Sequence, residues 1–572
     1  MLPMASPDQP SRLPELTIRA ILTGLVIGTV LTPCNVYAGL KIGWAFNMAI
    51  AAGLLGYGLW RLLPAREFGL LENNINQMIA SSAASIISGG LVAPIPALTM
   101  LTGQTLAWQW LIVWVFAVSA LGVVVAVGLR QQLLLREQLA FPAGIATAET
   151  MTRIHDHGGE ASARLRVLLA AAGVSGALKL VNDLLVALPR LAPPLKLGGY
   201  SFANLGFAFD PSLLLFGFGA IIGLRAGLSI LLGTVIAWGW LATHVLAQGW
   251  VEAGARNEAW FEPLVTWLLW PGATLMVFSS LTSFALALAG LRRRTAIRAS
   301  RVSAPRQMIA LALASLLVIL AAMLLFDIAL WQAVLAVLLS YVLAIVAARV
   351  TGETGITPIG AMGQITQFAY GLVSPGNLTA NLMTANITGG AAGQCADLMQ
   401  DLKTGLMIGA RLRFQVIAQI LGVAIGSLVG VAVYLTLIPD PAAMLMTADW
   451  PAPAVATWKA VAEVMTQGLA SLPPGALPAM AVAAGCGIAL ALLERLLPPR
   501  IARRLPSAPA IGLAFVIPAW NGLSLFLGAA LAAILARLLP GWSQRHAFGL
   551  AAGLVAGESL IGVATLALKL LV

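Results

Sequence analysis

Charge is what this chain has least of. Only 10% of its 572 residues are Asp, Glu, Lys or Arg, where an ordinary soluble domain carries about a quarter. So thin a supply cannot cover a water-facing surface, which excludes a soluble globular protein. Cysteine is nearly absent as well: Cys34, Cys395 and Cys486 stand far apart in apolar surroundings. They form neither a disulfide framework nor a metal-ligand spacing and read as small packing residues; no metal and no cofactor is expected. A P-loop and an H-E-x-x-H string are both missing, so ATP hydrolysis within the chain and zinc proteolysis lack support. Asp8 and Glu15 precede the first apolar run and no A-x-A break follows it, so no cleavable signal peptide is expected.

What the chain has instead is apolar length. Hydrophobic residues make up 59% and the mean hydropathy is +0.91. Stretches of about 20 apolar residues recur from end to end, each able to cross a hydrocarbon core roughly 30 Å thick. They run near 18–40, 43–63, 76–100, 107–129, 165–189, 208–224, 228–248 and 268–290, then 308–327, 329–349, 413–437, 475–497, 508–537 and 547–570. Continuous rather than alternating hydrophobicity argues against a transmembrane barrel. The expected fold is all-α: a polytopic integral membrane protein with about 14 to 16 helices, some discontinuous.

The net charge of +11 is scattered over short loops, a pattern that orients a membrane protein rather than binding nucleic acid. RRRTAIRASRVSAPR, residues 292–306, has six arginines and no acid, which places it in the cytoplasm. Alternating sides from there puts the N-terminus inside and the loop with Glu252, Glu258 and Glu262 outside. A multi-pass protein of a bacterial inner membrane is expected.

The chain also repeats itself. PAGIATAETM (142–151) matches PAVATWKAVAEVM (453–465), and AAGVSGALKLVNDLL (171–185) matches AAGCGIALALLERLL (483–497), at offsets of 453 − 142 = 311 and 483 − 171 = 312. FGAIIGLRAGLS (218–229) resembles FGLAAGLVAGES (548–559). Residues 1–300 and 301–572 therefore read as two duplicated halves. Arginines flank the first PAGIAT and aspartates precede its partner, which suggests opposite insertion of the halves, the inverted-repeat plan of secondary transporters.

Four polar stretches interrupt the apolar background: TPCNVYAGLKIG (32–43), ENNINQMIASSAASIISGG (72–90), GETGITPIGAMGQITQ (352–367) and NLTANLMTANITGGAAGQCADLMQDLKTG (377–405). An ionised side chain at the bilayer centre costs about 2.5 to 3.5 kcal/mol on insertion scales. Such residues must face a protein interior or a wet cavity, where backbone freed by Gly and Pro also finds partners. Asp397 and Asp401 are spaced i,i+4 and share a helix face; a polar helix end at the interface is the competing reading for Asp401 and Lys403. His155, Asp156 and His157 read as a solvated connector, and the sequons at Asn377 and Asn386 are discounted because they lie in the polar core.

These strings, with LAFPAGIATAE (139–149), PAPAVATWKAVAEV (451–464) and AAGLVAGESLIG (551–562), resemble the oligopeptide transporter family, which includes the yellow-stripe-like carriers of metal chelates, and the short charged termini resemble those of its bacterial members. The resemblance implies a proton-driven importer of peptides, modified peptides or metal–siderophore-type chelates, and not an enzyme. Met78 stands where related sequences often have threonine, which removes a hydroxyl.

Symport needs a carboxylate whose protonation changes between states, and burial disfavours the charged form of an acid. Glu353 is the first candidate, between Gly352 and Gly355 where a helix can break; Asp397 is second and Glu149 third. The candidate substrate residues are Asn35, Tyr37, Lys41, Asn73, Asn74, Gln77, Thr354, Thr357, Gln364, Asn386, Gln394, Asp401 and Lys403. Their amides suit peptide backbone groups or chelate carboxylates, and Lys41 or Lys403 suits a substrate carboxylate. The expected partners are a peptide or metal-chelate substrate, protons and the lipid bilayer, with a homodimer fitting an elevator-type carrier. Two other classes compete: a membrane enzyme on a lipid-linked substrate, holding Mg²⁺ at Asp397 and Asp401, and a passive channel. A missing second D-x-x-x-D string weighs against the first, and a two-fold duplication without a filter-like element against the second.

Overall fold

Backbone polar groups have no water to bond in hydrocarbon, so a chain this apolar folds into helices that satisfy themselves. The computed structural model describes residues 14–571 apart from 44–46, 63–66, 157, 256–257, 295–304, 356 and 470–471. Among them, 12 helices are long and apolar enough to cross a membrane, and the protein is an all-α, multi-pass membrane protein. Most of the arginine-rich stretch at 292–306 lies outside the described residues.

Shorter and more polar helices stand beside these 12. Ala49–Leu62, Pro142–Asp156, Ile359–Val373 and Pro453–Gln467 have 14 or 15 residues each, about 22 Å of helix and too short for a full crossing. Leu378–Ile408 has 31 residues and ample length, but its polar content keeps it out of any hydropathy count. Where two spans were expected around Arg225, helix continues on both sides of a break at Gly223 (φ 83°, ψ 168°).

The chain divides into two compact units, each of which draws on both sequence halves. The first comprises Met1–Val36, Ala45–Arg166 and Leu291–Thr436. Leu378–Ile408 runs through its centre and is buried along nearly all its length. Asn377 caps its start, accepting from Ala380 N at 2.9 Å, and Gly409 ends it at φ 80°. Small residues let neighbours approach: a Cβ on Gly122 would stand 2.5 Å from Ala391 O and 2.8 Å from Gln394 Cβ. A polar helix is tolerated at membrane depth here because protein, not lipid, surrounds it.

The second unit comprises Tyr37–Trp44, Val167–Gly290 and Leu437–Val572. Its core gathers Trp238, Phe261, Trp267 and Trp520 with aliphatic neighbours; Trp238 Nε1 donates to Ala514 O at 2.9 Å and Trp267 Nε1 to Pro474 O at 2.8 Å, so each indole keeps a polar partner. A two-residue hairpin pairs Lys196–Leu197 with Tyr200–Ser201, turned by Gly198 and Gly199 at positive φ.

The repeated strings share one local construction. In the first unit Phe141 (φ 46°), just before Pro142, donates its N–H to Gly352 O at 2.9 Å. In the second unit Ala452 (φ 44°), just before Pro453, donates to Leu40 O at 2.9 Å. Each acceptor lies three residues before a glycine of positive φ, Gly355 at 79° and Gly43 at 75°. The offsets are 452 − 141 = 311 and 355 − 43 = 312, the spacing read from the sequence. In each unit, a helix from one half starts against a helix end from the other.

Candidate functional site

The second and fourth polar stretches meet within the first unit as an antiparallel ladder. Leu70–Ala84 continues as a 3₁₀ turn, Ser85–Gly89, alongside Leu378–Ile408. Gln77 Nε2 donates to Asp401 Oδ1 at 2.7 Å, Ser85 faces the Asp397 carboxylate, and Ser88 Oγ donates to Gln394 Oε1 at 3.3 Å. As one strand of the ladder rises from 77 to 88, its partner falls from 401 to 394. The helical periods make this possible: Gln394, Asp397 and Asp401 recur at i, i+3 and i+7, which keeps them on one face.

Several groups on this ladder are unsatisfied. Asn74 Oδ1, Gln77 Oε1, Asp401 Oδ2 and Gln394 Nε2 are buried and have no hydrogen-bond partner among the described residues; nor has Gln364 Oε1 on the neighbouring Ile359–Val373 helix. Buried polar atoms are nearly always paired, so five without a protein partner in one polar region stand out. No lysine or arginine forms an ion pair with Asp401 among the described residues. The arrangement can accept a proton at Asp401 and offers amides of both senses to a ligand.

Other expected residues make hydrogen bonds within the first unit. Asn73 Nδ2 donates to Gly53 O at 3.0 Å and Asn35 Nδ2 to Ala84 O at 2.9 Å. Asn386 Oδ1 accepts from Trp114 Nε1 at 2.7 Å, Thr357 Oγ1 from Thr351 Oγ1 at 3.2 Å, and Lys403 Nζ donates to Leu139 O at 3.2 Å. The side chain of Thr354 lies outside the described residues.

Two of the acids expected in a protein interior stand at the surface. Glu353 is exposed in the last turn of Leu330–Thr354, because the helix ends there at Gly355 and the carboxylate extends past the packed part. Glu149 is exposed and faces Arg153 one turn on, at 3.7 Å. Asp397 is half-buried and Asp401 fully so.

Tyr37 and Lys41 belong to the second unit, where they line a cavity of about 470 Å³. Lys179, Arg190, Asp210, Asp449 and Glu558 also line it, and reading the sequence missed all five. A signal was present in the Lys179–Asp183 i,i+4 spacing and in the GES string at 557–559. The 312-residue offset that pairs Gly43 with Gly355 pairs Lys41 with Glu353, so equivalent positions of the two constructions carry opposite charges.

Comparison with known proteins gives a consistent result. The profile of the OPT oligopeptide transporter protein family matches residues 15–569. A Saccharomyces cerevisiae protein named for the oligopeptide transporters is 23% identical over 523 residues, 67% of this chain and 72% of that one. A Haemophilus influenzae protein named likewise is 29% identical over 208 residues, 36% of this chain and 31% of that one. A rice (Oryza sativa subsp. japonica) protein named for metal-nicotianamine transport is 25% identical over 257 residues, 40% of this chain and 38% of that one.

Proposed function

The chain belongs to the oligopeptide transporter family, and on that footing we propose that it is a secondary active transporter which couples proton entry to uptake of peptides, modified peptides or metal chelates across a bacterial inner membrane, with its N-terminus in the cytoplasm. The names of its relatives divide between oligopeptide and metal-nicotianamine transport, which supports both substrate branches.

One observation carries the proton role: Asp401 is buried, accepts from Gln77 on one oxygen, and has no partner for the other among the described residues. A carboxylate at that depth without a cation is costly, and a proton on Oδ2 removes the uncompensated charge. Asp397, four residues away on the same face, is the second proton site. Asn74, Gln77, Gln364 and Gln394 supply unpaired amide groups to the substrate in the same region.

Proteoliposome uptake tests this reading. An acid-outside gradient should drive accumulation of short peptides or of metal–siderophore complexes, and Asp401→Asn should abolish gradient-driven uptake while counterflow exchange survives. Gradient-driven uptake at the wild-type rate in Asp401→Asn would overturn the proton role, and uptake indifferent to the gradient in the wild type would point to a channel.

A further inference from the structure

Between Glu494 and Glu558 the charge is of one sign: six arginines and no acid. Arg495, Arg500, Arg503 and Arg504 are exposed in and around the short helix Pro499–Ala502. Arg537 is exposed in the last turn of Ala519–Leu538, and Arg545 is exposed near the start of Pro540–Leu571. None of the six forms an ion pair among the described residues. Arg225, two residues after the break at Gly223, ties that break to the same basic connector: it donates to Leu505 O at 2.8 Å and pairs with Glu494 at 2.9 Å. A run so basic marks a cytoplasmic face.

Beside this face the second unit holds an apolar cavity of about 320 Å³. Three elements wall it: Ile221 just before the Gly223 break, Leu531 and Leu535 near the end of Ala519–Leu538, and Trp542, Phe548 and Leu554 on Pro540–Leu571. No charged residue and no side-chain amide lines it, so a peptide or a hydrated ion finds no partner there. Leu531, Trp542 and Phe548 are exposed, which opens the cavity to the surface. From Trp542 to Leu554 is 12 residues (554 − 542 = 12), about 18 Å of helix. That is close to half of a roughly 30 Å hydrocarbon core, the depth of one leaflet. Polar groups gather at one end. Trp542 lies against His546 with ring centroids 5.5 Å apart, and His546 Nδ1 is buried without a hydrogen-bond partner among the described residues. Arg545 Nε donates to Gly541 O at 2.9 Å, which orients the guanidinium at the helix start.

We propose that this is a binding site for an anionic phospholipid, with one acyl chain in the cavity and the phosphate at Arg537 and Arg545. A tryptophan at headgroup level and arginines on a cytoplasmic face suit such a lipid. Each arginine near the surface favours an acidic headgroup by about fivefold. A neutral lipid would fill the cavity and leave the arginines uncompensated. A second copy of the chain would bring like charges together. The site lies wholly in the second unit, and binding there needs neither a transported substrate nor a proton.

Native mass spectrometry of the full-length protein in detergent tests it, with phosphatidylglycerol, phosphatidylcholine of the same chains, and glycerol phosphate as probes. Phosphatidylglycerol should be retained at least fivefold more than phosphatidylcholine, and glycerol phosphate, which has no chain, should not bind at millimolar concentration. The double variant Arg537→Gln, Arg545→Gln should lower phosphatidylglycerol retention about tenfold or more and leave phosphatidylcholine unchanged. Ala532→Phe, which puts a ring into the cavity, should lower phosphatidylglycerol retention as well. Both arginines are exposed, so the double variant decides the matter if Ala532→Phe fails to fold. Equal retention of the two lipids, wild-type phosphatidylglycerol retention in either variant, or glycerol phosphate binding as tightly as phosphatidylglycerol would each overturn the assignment. A lipid-free dimer that dissociates in Ala532→Phe would give the cavity to a second copy and overturn it too.

Discussion

Gln77 Nε2 lies 2.7 Å from Asp401 Oδ1, a contact that joins residues 324 positions apart in the chain. It ties a helix from the first half of the sequence to one from the second, and it is the point where the two most polar stretches become one buried surface. Replacing Asp401 by Asn keeps the shape and the bond to Gln77 but removes the titratable group. Accumulation driven by a pH gradient should fall to background, counterflow should persist, and the melting profile should stay near wild type.

Glu353→Gln should behave differently. Its carboxylate is exposed at a helix end, where a lost charge is screened by water. Gradient-driven uptake should stay within about fivefold of wild type, since exposed charges contribute about 0–1 kcal/mol. A collapse of uptake in this variant would return the proton to Glu353.

Glu72 is a structural acid of the first unit. It accepts from Arg19 and from Thr17 Oγ1 at 2.7 Å, and from Gly69 N at 3.1 Å, while Arg19 packs over the Trp60 and Phe68 rings. Glu72→Ala strands all three donors and should cost about 3 kcal/mol, read as a lower midpoint in thermal unfolding monitored by circular dichroism in detergent. An unchanged midpoint would show that water replaces the carboxylate without loss.

Gly122→Ala probes the packing behind the ladder. The added methyl would crowd Ala391 O and Gln394 Cβ, so Leu378–Ile408 has to shift. A cost of about 1–3 kcal/mol is expected, together with slower uptake because Gln394 moves. Stability at the wild-type level would mean that the two helices sit farther apart.

The two residues before the repeat prolines give opposite outcomes. Ala452 holds a left-handed backbone that costs an L-residue roughly 1–2 kcal/mol, and its N–H bond to Leu40 O survives substitution. Ala452→Gly should therefore stabilise by up to about 1 kcal/mol after the glycine entropy penalty. Phe141 has the same backbone but a fully buried ring, so Phe141→Gly should destabilise by about 3 kcal/mol. Melting midpoints that shift in the same direction would refute the equivalence of the two constructions.

Much of the architecture was legible because hydropathy is a local property. The apolar runs at 268–290 and 413–437 lie within observed helices, and those at 107–129 and 308–327 overrun theirs by one residue each, since any such run must satisfy its backbone internally in lipid. The 311–312 offset was legible for a similar reason: Gly, Pro and their spacing encode backbone geometry directly. Polar helices were harder. Leu378–Ile408 is too polar to read as a span, because its surroundings, and not its own composition, make it tolerable.

By itself the sequence determined the all-helical membrane fold, the internal offset, and which stretches carry polar chemistry. Only the tertiary structure decided which of those polar residues remain unsatisfied. Glu353 and Asp401 look alike in the chain, each an acid in a Gly-rich polar stretch, yet one ends at a helix terminus in the open and the other is enclosed against Gln77. Lys41 and Asp449 are 408 residues apart (449 − 41 = 408), and their common cavity exists only once the chain has folded. Burial and partner choice are set by what packs against a residue from distant parts of the chain, which no local pattern records.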